Sequence, residues 1–309
     1  MSILKAFSSG IRRATSEPRM VLALYVINLL IALPLAMAFR AVLVAGFGAS
    51  MAPLELMRGL DFTVLADFMN VHAEEVSAVL RQVSWAIALF MLINSFLAGG
   101  ILTVLRNEHD KYSISEFFAG CGKYFGRFLR LFFVFAIVLV VLVVIMTFIL
   151  AILSKVLIED STSEVTVIVL TIAQIKLFFF PVMLLLMIAD YSKISIVVND
   201  ERKVLKAAWL STKFVFSHFF RTIGLELLML LVLILLFAIY ALLDLAIGMT
   251  TDLTIIVMLI IQQLFMVSRA WSKVFFFAGE MSLYQNLQPV VFSTVEGAGA
   301  SSVTELPKP

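Results

Sequence analysis

Residues 129–154 read LRLFFVFAIVLVVLVVIMTFILAILS, and between Arg130 and Lys155 there is no charged side chain. A helix crossing the ~30 Å hydrocarbon core of a bilayer needs about 20 mostly apolar residues, and this stretch is longer than that. Its apolar residues are continuous rather than alternating, which argues against a transmembrane β-strand. Five further runs of the same kind lie outward from it, at about 20–44, 83–105, 165–198, 222–247 and 253–283. Polar punctuation such as Glu159-Asp160-Ser161-Thr162-Ser163-Glu164 separates them. The fold class this predicts is an all-α, polytopic membrane protein with six transmembrane helices.

Composition agrees. Of 309 residues, 62% are hydrophobic and 14% charged, whereas soluble domains carry roughly a quarter charged residues. That excludes a water-soluble globular enzyme, a disordered chain and a disulfide scaffold. The single cysteine, Cys121, rules out an intrachain disulfide and reads as a small apolar residue. Arg12, Arg13 and Arg19 followed by Ala36-Met37-Ala38 resemble a cleavable signal, but the apolar run continues past that site and reads as a retained span.

Orientation follows from the basic residues. With six spans, eighteen Lys and Arg fall on the side of the termini and only Arg40, Arg58, Arg81 and Lys155 on the other; Lys176 lies within a span. Both termini are therefore expected in the cytoplasm, with the protein in the plasma membrane.

A stretch of helical periodicity precedes each odd-numbered span, at about 2–17, 113–128 and 201–218. In the first, Ile3, Leu4, Phe7, Ile11 and Ala14 share a face; in the second, Ile114, Phe117, Phe118, Cys121, Phe125 and Phe128 do. In the third, the apolar face is Leu205, Ala208, Trp209, Thr212, Phe216 and Phe219, with Lys206 and Lys213 turned away. An apolar face beside a basic one is the pattern of an interfacial amphipathic helix in the headgroup plane. Leu4-Lys5-Ala6 parallels Leu205-Lys206-Ala207, and Tyr191-Ser192-Lys193-Ile194 parallels Trp271-Ser272-Lys273-Val274. Three elbow-plus-hairpin repeats about an axis along the membrane normal are the expected arrangement.

Between the first two spans, the long external loop 45–82 mixes Leu60, Phe62, Leu65, Phe68 and Met69 with Asp61, Asp67, His72, Glu74 and Glu75. It reads as one or two short amphipathic helices with a solvated acidic face. Residues 288–309 turn small and polar, the composition of a disordered cytoplasmic tail.

Catalytic motifs are missing. His72, His109 and His218 lie in separate segments, and no metal-binding His pair, nucleophile elbow or phosphate loop occurs. No catalytic, cofactor or metal site is expected. The chemistry lies in polar residues within the spans, which are costly there. Asn94, Gln174, Lys176, Gln262 and Gln263 fall at similar depth and form a candidate midplane cluster. It either bridges helices or lines a hydrated cavity. Arg12, Arg13, Lys123, Arg127, Arg130, Lys206, Lys213 and Arg221 are candidate contacts to anionic lipid headgroups. Glu226 is expected to pair with an elbow cation and Asp190 with Arg269. Ala98-Gly99-Gly100 predicts a close approach of two helices.

Three features resemble a loose group of uncharacterised bacterial six-span inner-membrane proteins, including the membrane-domain segment of some glycerophosphodiester phosphodiesterases. They are Ser16-Glu17-Pro18 before the first span, Gly99-Gly100-Ile101 closing the second, and Ala207-Ala208-Trp209 before the fifth. The likeness covers most of residues 1–287. It implies a bacterial inner-membrane location, and it carries over no catalytic residue and no phosphodiesterase domain. The expected function is a non-enzymatic scaffold or subunit of a membrane complex. Its partners are anionic lipids and other membrane proteins, with no nucleic acid. The alternative is a transporter or channel for a small solute or lipid centred on Lys176.

Overall fold

The computed structural model describes residues 2–47, 62–107, 113–157, 164–248 and 251–287. Among these the regular elements are all helices: α1 (Ile3–Ser16), α2 (Pro18–Phe47), α3 (Phe62–Val71), α4 (Ala73–Arg106), α5 (Ile114–Leu157), α6 (Glu164–Val198), α7 (Val204–Ser217), α8 (Phe219–Ala246) and α9 (Asp252–Leu287). Six of them, α2, α4, α5, α6, α8 and α9, are long and apolar enough to cross a membrane, so the chain is an integral membrane protein by length and composition. Pro18 opens α2 where its missing N–H is harmless, whereas Pro34 and Pro181 lie inside helices, a placement that membrane helices tolerate.

Packing is concentrated at one end of the bundle, the end rich in Lys and Arg. The buried residues cluster in the last turns of α4 (Leu97–Leu105), α6 (Met187–Val197) and α9 (Ala270–Tyr284) and in the first turns of α5 and α8. Toward the other end large apolar side chains such as Phe148, Ile168, Phe237 and Leu253 are exposed. The helices α4, α5, α6 and α9 have 34, 44, 35 and 36 residues, hence lengths of about 51–66 Å at 1.5 Å per residue. A hydrocarbon core of ~30 Å cannot contain them.

Glycines make the two closest crossings. On α4, a Cβ at Gly100 would sit 2.6 Å from Cys121 Sγ and 2.7 Å from the Phe117 carbonyl of α5; one at Gly99 would sit 2.9 Å from the Gly120 carbonyl. The close approach expected at Ala98-Gly99-Gly100 is thus present, with Gly120 as its counterpart. On the other side of the bundle α1 lies along α9, where a Cβ at Gly10 would be 3.1 Å from Gly279 Cα and Phe7 meets Phe275 edge-on at 5.5 Å.

Several expectations change. Residues 113–128 and 129–154 form one continuous helix, α5, because no proline or other helix breaker interrupts the sequence between them. The helix that carries the second span, α4, starts at Ala73, and α3 is the short helix before it. On α1 and α7 the buried face is not the large apolar one. Ala6, Gly10 and Ala14 are the buried residues of α1, and Val204, Ala207, Ser211, Phe214 and Val215 those of α7. Leu4 is 68% exposed, Leu205 69% and Trp209 71%. Small residues let backbones approach, and lipid accepts large side chains as readily as a protein core does. His109, the loop residues 48–61 and the tail 288–309 lie outside the described residues.

Candidate functional site

The basic end is closed by side chains that reach helix termini. Arg106 Nη1 donates to the Val197 carbonyl at 2.8 Å and Arg13 Nη1 to the Leu105 carbonyl at 3.2 Å. Both carbonyls lie in the last turn of a helix, where they lack intrahelical donors and where cations are favoured. Between α6 and α7, Asp200 adopts a left-handed backbone (φ 47°), a conformation that Asp tolerates better than most residues and that ends the helix. Arg127 Nη1 donates to its carboxylate at 2.7 Å, Lys123 stands 3.9 Å away, and Lys206 Nζ pairs with Glu201 at 2.6 Å.

The hydrogen bond from Arg127, followed by the charges of Lys123, Arg127 and Arg106, holds the Asp200 carboxyl below its ordinary range; the Lys206 hydrogen bond lowers Glu201 likewise. A depressed carboxyl stabilises the fold above its unfolded pKa, near 4, and loses that contribution as pH falls through the folded value. Melting of the wild type is therefore expected to drop more steeply than that of Asp200→Asn as pH falls below about 4. Parallel melting curves there would refute a stabilising role for the Arg127–Asp200 pair.

Of the eight residues expected at lipid headgroups, Arg13, Lys123, Arg127 and Lys206 thus make contacts within the protein, while Arg12, Arg130, Lys213 and Arg221 are exposed. The midplane residues do not converge on one another. Gln174 accepts from Ser154 Oγ at 3.1 Å, linking α6 to α5, and Gln263 accepts from the Tyr25 hydroxyl at 2.7 Å, linking α9 to α2. Asn94 accepts from Lys273 Nζ, linking α4 to α9. Gln262 is half-buried and Lys176 is exposed.

Lys176 instead lies at one end of a cleft between α6 and α8 with a volume of about 900 Å³, and Asp190 and Glu226 lie among its lining residues. The pairings expected for these two acids are replaced by others. Asp190 accepts from Lys193 Nζ at 2.7 Å, one turn away on its own helix, and Arg269 is exposed. Glu226 stands beside Glu280 of α9, which is 1% exposed.

Glu280 and Lys273 are absent from the sequence-derived candidates. The available signal was a lone carboxylate in Val274-Phe275-Phe276-Phe277-Ala278-Gly279-Glu280-Met281, an otherwise apolar stretch. No protein-family model, curated protein or solved structure matches the chain.

Proposed function

We propose that this protein is a non-enzymatic scaffold or subunit of a membrane complex, held through its basic end to anionic lipid headgroups. One observation carries the reading: the division of α7 into three arcs. Ala207, Ser211 and Val215 are locked into the core, Leu205, Trp209 and Phe216 face outward, and Lys206 and Lys213 lie beside that outward apolar stripe. An outward apolar stripe flanked by lysines suits the boundary between acyl chains and anionic headgroups. The same division recurs on α1, with Ala6, Gly10 and Ala14 inward, Leu4 and Ile11 outward, and Lys5 and Arg12 exposed beside them. That correspondence also supports the proposed three-repeat arrangement, in which α5 fuses elbow and span. The positive-inside bias supports cytoplasmic termini, and the resemblance to bacterial six-span proteins implies an inner-membrane location.

The test uses a single-tryptophan protein, Trp85→Phe/Trp271→Phe, in nanodiscs with brominated acyl chains. Trp209 fluorescence is expected to be quenched, and Lys206→Glu/Lys213→Glu to remove the enrichment of anionic lipid retained by the purified protein. Unquenched Trp209 overturns the interfacial placement. The cleft at Lys176 favours a second reading, movement of a small solute or lipid. Lys176→Met separates the two, because a scaffold keeps its partners and its stability whereas a transporter loses flux.

A further inference from the structure

The cleft between α6 and α8 has a chemistry opposite to that of the basic surface. Both helices pack on α9 and hardly on each other, which leaves the cleft between them. Its walls are apolar, with Leu177, Phe180, Met183, Leu186 and Leu230 among the lining residues. Lys176 and Asp190 are fourteen residues apart on one helix, so about 21 Å separates them. One leaflet including its headgroups is also roughly 20–22 Å deep, half of a 40–45 Å bilayer. The groove therefore matches an alkyl chain in length and carries its polar groups at the level of a headgroup.

Those polar groups are carboxyls. Lys193 answers Asp190, whereas Glu226 Oε2 is buried without a hydrogen-bond partner. Glu280 Oε2 and the Tyr191 hydroxyl are likewise buried with no hydrogen-bond partner, and of the three Glu226 lines the groove. Buried polar groups of this kind call for a donor that satisfies them. At the far end the Cα–Cβ bond of Lys176 leans toward the start of α6, away from the carboxyls.

We propose that the groove binds a membrane amphiphile with a primary ammonium head, its chain lying along α6 and α8 and its N–H groups donating to Glu226 and Asp190. An anionic head meets repulsion there. A quaternary ammonium head has no N–H to donate.

The full-length protein in choline-lipid nanodiscs, titrated with nitroxide-labelled hexadecylammonium, tests this by the immobilised fraction of the spin label. The wild type is expected to bind it, with unlabelled hexadecylammonium competing well, hexadecyltrimethylammonium weakly and hexadecanoate not at all. Losing a charged hydrogen bond in Glu226→Gln is expected to weaken binding about tenfold to a hundredfold. Leu230→Trp fills the groove and is expected to abolish binding, whereas Phe148→Trp, on a lipid-facing surface away from it, leaves binding intact. Should Glu226→Gln fail to fold, the competition series on the wild type and Leu230→Trp decide the matter. Equal competition by hexadecanoate overturns the head-group assignment. Undiminished binding in Leu230→Trp overturns the groove itself.

Discussion

Gly120→Val is expected to prevent α4 and α5 from closing, with a loss of about 3 kcal/mol, at the upper end of ordinary overpacking. A Cβ at Gly120 would fall within the Thr103 side chain and 3.1 Å from the Gly99 carbonyl, so backbone as well as side chain would have to move. Thr103 cannot easily yield, because its hydroxyl donates to the Gly99 carbonyl at 2.7 Å. Two residues further along the same helix the outcome reverses. Gly122 has no atom within 4 Å of a built Cβ, and Gly122→Ala is expected to stabilise by roughly 1 kcal/mol through helix propensity alone. Denaturation of both variants in mixed micelles measures the contrast. A Gly120→Val protein as stable as the wild type would remove the crossing from its place in the fold.

Tyr284→Ala is expected to cost about 3–5 kcal/mol, the range for truncating a large buried aromatic side chain. Tyr284 is 1% exposed and joins three helices. Its ring lies 4.9 Å from Phe214 of α7 and 6.4 Å from Tyr191 of α6, and its hydroxyl accepts from Asn199 Nδ2 at 3.1 Å. Phe214 in turn meets Tyr191 at 5.3 Å. Removing the ring leaves α7 without the aromatic surface against which it docks, while Tyr284→Phe loses one hydrogen bond, about 1 kcal/mol. The distinguishing measurement is hydrogen exchange along α7, which should rise in the alanine variant and stay low in the phenylalanine variant. Equal protection in both would show that α7 is held by something other than this cluster.

The six spans were legible because an uncharged apolar run as long as residues 131–154 suits a bilayer core and little else. Glycines at a close crossing were legible too, since Gly99-Gly100 presents only backbone to a neighbouring helix. What misled was the rule that a helix buries its largest apolar face. In water that rule is sound, but here Leu205 and Trp209 face outward and Ala207 and Ser211 face in. On the packed side Ala207 and Ser211 admit a close approach beside the single large anchor Phe214. Depth counted from the span edges was likewise a poor guide to contact. Gln174, Gln263 and Asn94 bond to Ser154, Tyr25 and Lys273, because counting along each span gives neither a shared level nor the direction a side chain faces. Glu280 was hidden because the sequence does not show that it meets Glu226 of α8.

Clamping the six helices at one end has a mechanical consequence. Hydrophobic mismatch costs fractions of a kcal/mol per Å, and helices relieve it by tilting. In this bundle the tilt falls on the loosely packed ends, while the glycine crossings and the Tyr284 cluster act as the pivot. Thinning or stretching the bilayer would thus spread the far ends of α6 and α8 and leave the clamped end unchanged.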